Sequence, residues 1–331
     1  MNELQNIKPV KKKRKALRVL LITLGVIVGL IALFFITVFA VNKIALRSEA
    51  SKIIPYGQTV TVDGDKKMNV LIRGAGEENI VLLPGYGTAV PARDFELLIR
   101  ELEKDYRVIA IEPLGYGLSD ETDKERTTAN IVDETHQALQ QLGVDRYVLM
   151  GHSIAGLYAL DYTKKYPDEV IAYAGIDTSV PNQGGMDAIP ATGMFTFLKE
   201  SGVLRLLTNL NADPYEALGY DPEMVNQIRM ITNRVSNNPT ILNEMSHIPE
   251  NFKSAKEAEA TFPASLPLLL FVNTEDAEVQ DWNKLHEEQV AHAEKGKMIE
   301  MSGGHYLHHK NSPQIASELR SFLKDVQTIN R

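Results

Sequence analysis

Short, wholly apolar runs recur along this chain, and each breaks into a turn or loop before a helical pattern begins. The clearest lie at residues 80–83, 108–111, 147–150, 170–176 and 268–272, and a last run at 298–301 is interrupted by Glu300. Apolar residues at helical spacing fill 93–102, 129–142, 157–166, 280–294 and 313–326. A strand that is apolar throughout must be covered on both faces, and strands separated by helices tend to return in the same direction. The pattern therefore predicts a mostly parallel central sheet with helices on both faces. A β-hairpin at 59–62 and 68–73, turned by Asp63-Gly64-Asp65, precedes it. The alternation stops over 182–262, where Met, Asn, Pro and Leu form short amphipathic patches, and this segment is expected to be a helical insertion.

The N-terminus has a different character. Residues 19–41 contain no charge and are dominated by Leu, Ile, Val and Phe. As a helix they would extend roughly 35 Å, enough to cross a hydrocarbon core of about 30 Å. Lys8, Lys11, Lys12, Lys13, Arg14, Lys15 and Arg18 precede this run, while Lys43, Arg47 and Lys52 follow it. The larger basic cluster belongs in the cytoplasm, which puts the C-terminal bulk outside. A cleaved signal peptide is the rival, and Val38-Phe39-Ala40 meets its small-residue rule, but the apolar run is longer than such a segment needs. The expected organisation is a basic tail (1–18), a transmembrane helix (19–41), a juxtamembrane linker (42–55) and one catalytic-size domain (56–331) with its cap at 182–262. The first 18 residues hold seven Lys or Arg and one Glu, so the remainder carries a formal charge of −14 where the whole chain carries −8. That acidic balance disfavours nucleic acid as a partner. The chain has no cysteine, which excludes disulfides and thiolate metal sites.

Chemistry concentrates at Val148-Leu149-Met150-Gly151-His152-Ser153-Ile154-Ala155-Gly156. An apolar strand ends in a glycine, a serine follows two residues later, and a helix starts at once. This is the pattern of a nucleophile elbow, a tight strand-to-helix turn that pushes a serine hydroxyl outward. Small residues must flank the serine, and Gly151 and Ala155 meet that demand. The helix directs free N–H groups at the reacting centre, and Ile154 N–H would be one oxyanion donor.

A serine needs a base, and Ser302-Gly303-Gly304-His305-Tyr306 places His305 in a turn after the last strand. His308 and His309 follow, but Tyr306 stands where a helical zinc motif would need glutamate, so no metal is expected. Two carboxylates could orient the histidine. Asp276 follows the strand at 268–272 and is preferred, with Glu275 beside it; Asp177 ends the strand at 170–176 and is the alternative. The second oxyanion donor is expected in Pro84-Gly85-Tyr86-Gly87, where Gly85 allows close approach and Tyr86 N–H points inward.

With these motifs assembled, the chain from about residue 56 resembles the α/β-hydrolase superfamily. The segments that carry the resemblance are Leu82-Leu83-Pro84-Gly85-Tyr86-Gly87, Pro113-Leu114-Gly115-Tyr116-Gly117-Leu118-Ser119, Gly151-His152-Ser153-Ile154-Ala155-Gly156 and Gly303-Gly304-His305, in the superfamily's order. The resemblance implies Ser153 as nucleophile, His305 as base, Asp276 as acid, amides of Tyr86 and Ile154 as oxyanion hole, and a variable cap at 182–262. Pro84 and Ala155 depart from the commoner histidine and glycine. A serine nucleophile argues against the dehalogenases and epoxide hydrolases of this fold, which use aspartate. The expectation is a membrane-anchored, extracytoplasmic, esterase- or lipase-like serine hydrolase acting on a small acyl substrate without a cofactor. A proline-type aminopeptidase or amidase, and a non-catalytic binding or sensor module, are the alternatives. Nothing in the sequence indicates an oligomeric state.

Overall fold

The computed structural model describes residues 10–275 and 279–329. Eight strands form one sheet: β1 (Gln58–Val62), β2 (Lys66–Arg73), β3 (Asn79–Leu83), β4 (Arg107–Glu112), β5 (Tyr147–His152), β6 (Val170–Ile176), β7 (Leu268–Asn273) and β8 (Gly296–Met301). Their spatial order is β1-β2-β4-β3-β5-β6-β7-β8. The β1–β2 hairpin and the β2–β4 pair are antiparallel, and every later pair is parallel.

Strand alternation explains how the sheet is covered. On β3, Ile80 and Leu82 enter one apolar cluster while Val81 and Leu83 enter the other. On β5, Val148 and Met150 join the first, and Tyr147 and Leu149 the second. The first cluster is closed by α2 (Pro91–Asp94), α3 (Glu96–Leu102) and α12 (Leu307–Ile329). The second is closed by α4 (Thr128–Gln141), α5 (Ala155–Lys165) and Trp282 at the start of α11 (Trp282–His292). The remaining long helix, α1 (Val10–Ala50), precedes the sheet and runs well past both ends of the apolar stretch at 19–41.

Between β6 and β7 the chain forms five helices: α6 (Thr192–Glu200), α7 (Val203–Leu210), α8 (Pro214–Ala217), α9 (Pro222–Val235) and α10 (Pro239–Glu257). Asp213, Asp221 and Asn238 cap α8, α9 and α10, each followed by a proline in the first helical turn, where its missing N–H costs nothing. Two helices differ from the sequence pattern. The segment at 93–102 begins earlier, at Pro91, and breaks at Phe95 (φ −81°, ψ 2°) into α2 and α3. The last helix begins at Leu307 and not at Pro313, with a non-helical residue at Asn311 (φ −115°, ψ 15°). Proline cannot continue the helical hydrogen-bond ladder, so the kink falls just before it.

One buried carboxylate organises the loop after β4. Glu112 accepts hydrogen bonds from Tyr56 OH (2.6 Å), Asn69 Nδ2 (2.9 Å), Ala92 N (3.3 Å) and Leu118 N (2.9 Å). Burial pushes its pKa up, and those four donors oppose the rise. Gly117 lies directly over this carboxylate with φ +53°, and a Cβ there would overlap it. Gly143 also has positive φ (+64°), but a Cβ there meets nothing within 4 Å. Gly143→Ala should therefore show only the left-handed penalty, about 1–2 kcal/mol. Gly117→Ala should lose clearly more, because Glu112 must abandon its donors. Urea unfolding of both variants in detergent-solubilised full-length protein measures the difference, and equal losses would contradict the role given to Glu112.

Candidate active site

Ser153 sits between β5 and α5 with φ +55°, a conformation that non-glycine residues adopt only under local constraint. The constraint is visible. Its N–H donates to Ile176 O (3.2 Å), and its carbonyl accepts from Gly156 N (3.0 Å) and Ser179 N (2.8 Å). Close packing fixes the residue types around it. A Cβ on Gly151 would lie 2.9 Å from Tyr173 Oη and 3.0 Å from Ala155 Cβ, and one on Gly156 would lie 2.5 Å from Ser179 O. Alanine at 155 is thus accommodated because Gly151 faces it, and the tighter demand falls on Gly156. A Cβ on Gly85 would lie 2.8 Å from His152 Nδ1 and 3.0 Å from Ser153 Cβ, so the turn after β3 touches the elbow itself.

His305 lies in the loop between β8 and α12, where Gly303 (φ +146°) and Gly304 (φ +76°) turn the chain. Its Nδ1 is 2.7 Å from Asp177 Oδ2. Asp177 is fully buried, and its other oxygen accepts from Asn273 N (3.0 Å) and Trp282 Nε1 (2.8 Å). The carboxylate on the ring is therefore Asp177, the second of the two sequence candidates. The preferred Asp276 lies outside the described residues. Asp177 reaches the ring from the end of β6, the immediate neighbour of the strand that leads into the elbow. Glu275, the outside candidate, accepts from Gly303 N (3.2 Å) and so braces the histidine loop, not the ring.

The geometry joins the three pieces through backbone as well as side chains. Ser153 bonds to the residue before Asp177, Asp177 bonds to His305, and His152 Nε2–H donates to His305 O (3.0 Å). Among the described residues no acceptor or donor occupies His305 Nε2, the atom that a serine hydroxyl would approach. Apo sites commonly hold such a bond open until substrate arrives. The amides of Tyr86 and Ile154 likewise have no acceptor among the described residues. The turn carrying Tyr86 is held from below: Gly87 N donates to Tyr116 Oη (3.2 Å), and Tyr116 Oη donates to Glu244 (2.8 Å) on α10. Tyr158 on α5 donates to the other Glu244 oxygen (2.7 Å). Burial raises the Glu244 pKa, and Arg126 and the two tyrosines oppose the rise.

A second histidine network adjoins the first, and its partner Asp94 carries no local signal in the sequence. Asp94 on α2 is buried and accepts from His308 Nε2 (2.7 Å), His309 Nε2 (2.8 Å) and Tyr215 Oη (3.0 Å). Among the described residues these three, Asp94, His308 and His309, are close enough to share a metal ion. Their N···O separations are hydrogen-bond lengths, and Tyr215 uses one of the same oxygens, so the set is satisfied as a hydrogen-bond network. The ring of His152 stands between the networks, 4.7 Å from the His305 centroid and 4.8 Å from that of His308. Burial pushes His152 and His308 below the ordinary histidine pKa. Both donate through Nε2 and leave Nδ1 bare, as neutral rings do. Burial alone would raise the Asp94 carboxyl, but His308 and His309 hold it far below the usual range.

The sign of the resulting pH dependence follows. His152 and His308 bind protons more readily unfolded, so stability falls as pH drops below about 6.5. Asp94 binds protons more readily unfolded too, so its contribution is lost only below about 4. Denaturation midpoints should be level from pH 7 to 8 and fall between 6.5 and 5, at up to about 1.4 kcal/mol per pH unit for each histidine. His308→Gln, which can still donate to Asp94, should remove part of that slope. A flat profile down to pH 5 would refute the neutral buried pair.

Comparison with known proteins identifies the fold and the family. The model of the alpha/beta hydrolase fold family matches residues 78–266. The chain is 30% identical over 220 residues to YbdG of Bacillus subtilis, itself uncharacterized, and the match covers 64% of each protein, under two thirds of the relative's own length. Among solved structures, the enol-lactonase from Burkholderia xenovorans LB400 superposes with a TM-score of 0.63 at 17% identity, covering 81% of this chain and all of that one. A thermophilic esterase from Thermogutta terrifontis superposes at 0.62 and 18% identity, covering 82% of this chain and 99% of its own. At these identities the two structures speak to fold alone.

Proposed function

Because the chain belongs to the α/β-hydrolase family, we propose that it is a membrane-anchored serine hydrolase that cleaves an ester-like acyl bond. The observation that carries this reading is the 2.7 Å bond between His305 and the buried Asp177, at the strand end next to a serine in elbow conformation. Ser153 Oγ attacks the acyl carbonyl while His305 Nε2 takes its proton. Asp177 keeps the proton on Nδ1 and stabilises the imidazolium. The amides of Tyr86 and Ile154 receive the developing oxyanion, each such donor being worth about 3 kcal/mol. His305 then protonates the departing alcohol. In the second half it activates water, which releases the acid and restores the serine.

Four acidic cap residues that could capture a substrate amine already have partners, which supports an ester over an aminopeptidase substrate. A peptidase acting on a free amine needs an available carboxylate near the site. Glu200 is paired with Lys43, Asp213 and Glu216 with Arg229, and Glu223 accepts from Gln227. The anchor in this reading is α1, which is long and apolar enough to cross a membrane. The basic cluster before its apolar run places the N-terminus in the cytoplasm and the sheet outside.

Detergent-solubilised protein should react with a fluorophosphonate probe and hydrolyse short p-nitrophenyl esters, and Ser153→Ala should lose both. Asp177→Asn should lower kcat by about 10⁴, the scale of losing the correct histidine tautomer. Asp276→Asn should stay within about twofold, a difference worth only ~0.4 kcal/mol. Equal turnover by wild type and Ser153→Ala would sink the assignment, and a collapse confined to Asp276→Asn would move the acid.

A further inference from the structure

The cap is docked on α1, and the contact reaches into the apolar run. Phe197 of α6 packs on Phe35 of α1 with centroids 5.7 Å apart. Phe35 lies six positions before Val41, about 9 Å inside the end of that run by helical rise. Further along both helices the contacts become polar in step. Asn42 Nδ2 donates to Lys199 O (3.5 Å), and Lys43 pairs with Glu200 (3.0 Å). Arg205 of α7 donates to Asn42 (2.8 Å) and makes a two-pronged pair with Glu49 (2.6 and 2.7 Å). The turn between α6 and α7 meets α1 at backbone distance: a Cβ on Gly202 would lie 2.9 Å from Val38 O and 2.6 Å from Asn42 Cβ.

Depth on the two helices therefore runs in the same order, apolar to polar. The earlier part of α6 points towards the apolar layer, and its large side chains there are bare. Ile189, Met194 and Phe197 are exposed before and along α6, as are Leu207 and Leu210 on α7. Within each helix the two residues stand three apart, so they share a face. A water-exposed patch of this kind beside the uncharged run of a helix is what a lipid surface would cover.

We propose that α6 and α7 are seated in the outer leaflet of the bilayer that α1 crosses, so that the cap is itself a phospholipid-binding surface. This rests on α1 being the span, and the test separates the two. The chain has no cysteine, so a nitroxide can be placed at one site at a time in full-length protein. Met194→Cys and Leu210→Cys report on the cap, Phe34→Cys on the span, and Lys253→Cys on the exposed surface of α10. In palmitoyl-oleoyl-phosphatidylcholine vesicles, collisions with oxygen should exceed those with a water-soluble nickel chelate several-fold at 194 and 210, as at 34. The ratio should invert at 253. Lipid contact at 34 with water contact at both 194 and 210 would overturn the cap proposal and leave the anchor standing. Water contact at 34 would overturn both. None of these readouts depends on catalysis, so loss of the hydrolase assignment would leave them unchanged.

Discussion

The site depends on one carboxylate held dry. Asp177 has no exposure to solvent, and its two oxygens are consumed by a backbone amide of β7, an indole of α11 and the ring of His305. A buried ion of this kind is tolerated only when fully bonded. Three separate elements must therefore arrive together before the histidine can be oriented. The only tryptophan of the chain is spent here. Its large apolar body joins the core on one face of the sheet while its N–H reaches the acid. Core packing and the orientation of the His305 ring are thus set by the same contacts.

The elbow shows the same economy of space. Gly85, Gly151 and Gly156 each face an atom that a side chain would displace, and Ser153 carries a positive φ in their midst. Around it the polar groups are organised in two tiers. His305 pairs with Asp177, while His152, His308, His309 and Asp94 form an adjoining, mostly buried network. Burial disfavours the charged forms of His152 and His308, so those two rings serve as hydrogen-bond donors beside the Asp177–His305 pair.

Much of this was legible in the sequence. The sheet, the hairpin, the elbow, the histidine turn and the helical insertion all left local signals: apolar runs, glycine positions and spacing. The choice of acid did not. Asp177 and Asp276 both follow apolar strands, and the contact of Asp177 with His305 is a property of the assembled sheet. The Asp94 network was equally hidden, since α2 and α12 are brought together from positions more than 200 residues apart. The docking of the cap on α1 depends on single polar residues, Asn42, Glu49 and Arg205, whose types carry no pairing information until the helices meet. Proline misled the reading at one point: Pro313 looked like the start of the last helix but lies inside its kinked course.

The Arg205–Glu49 pair has a practical corollary. Glu49 belongs to the long N-terminal helix α1, yet its partner Arg205 belongs to the helical insertion between β6 and β7. A shortened version of the protein, cut near residue 56 to obtain soluble material, would leave a nearly buried guanidinium facing nothing and strip the Phe197 face of its neighbour. Such a fragment would keep its sheet and the Asp177–His305 pair and still present a loosened, self-associating insertion, so its behaviour would be a poor guide to that of the full-length protein.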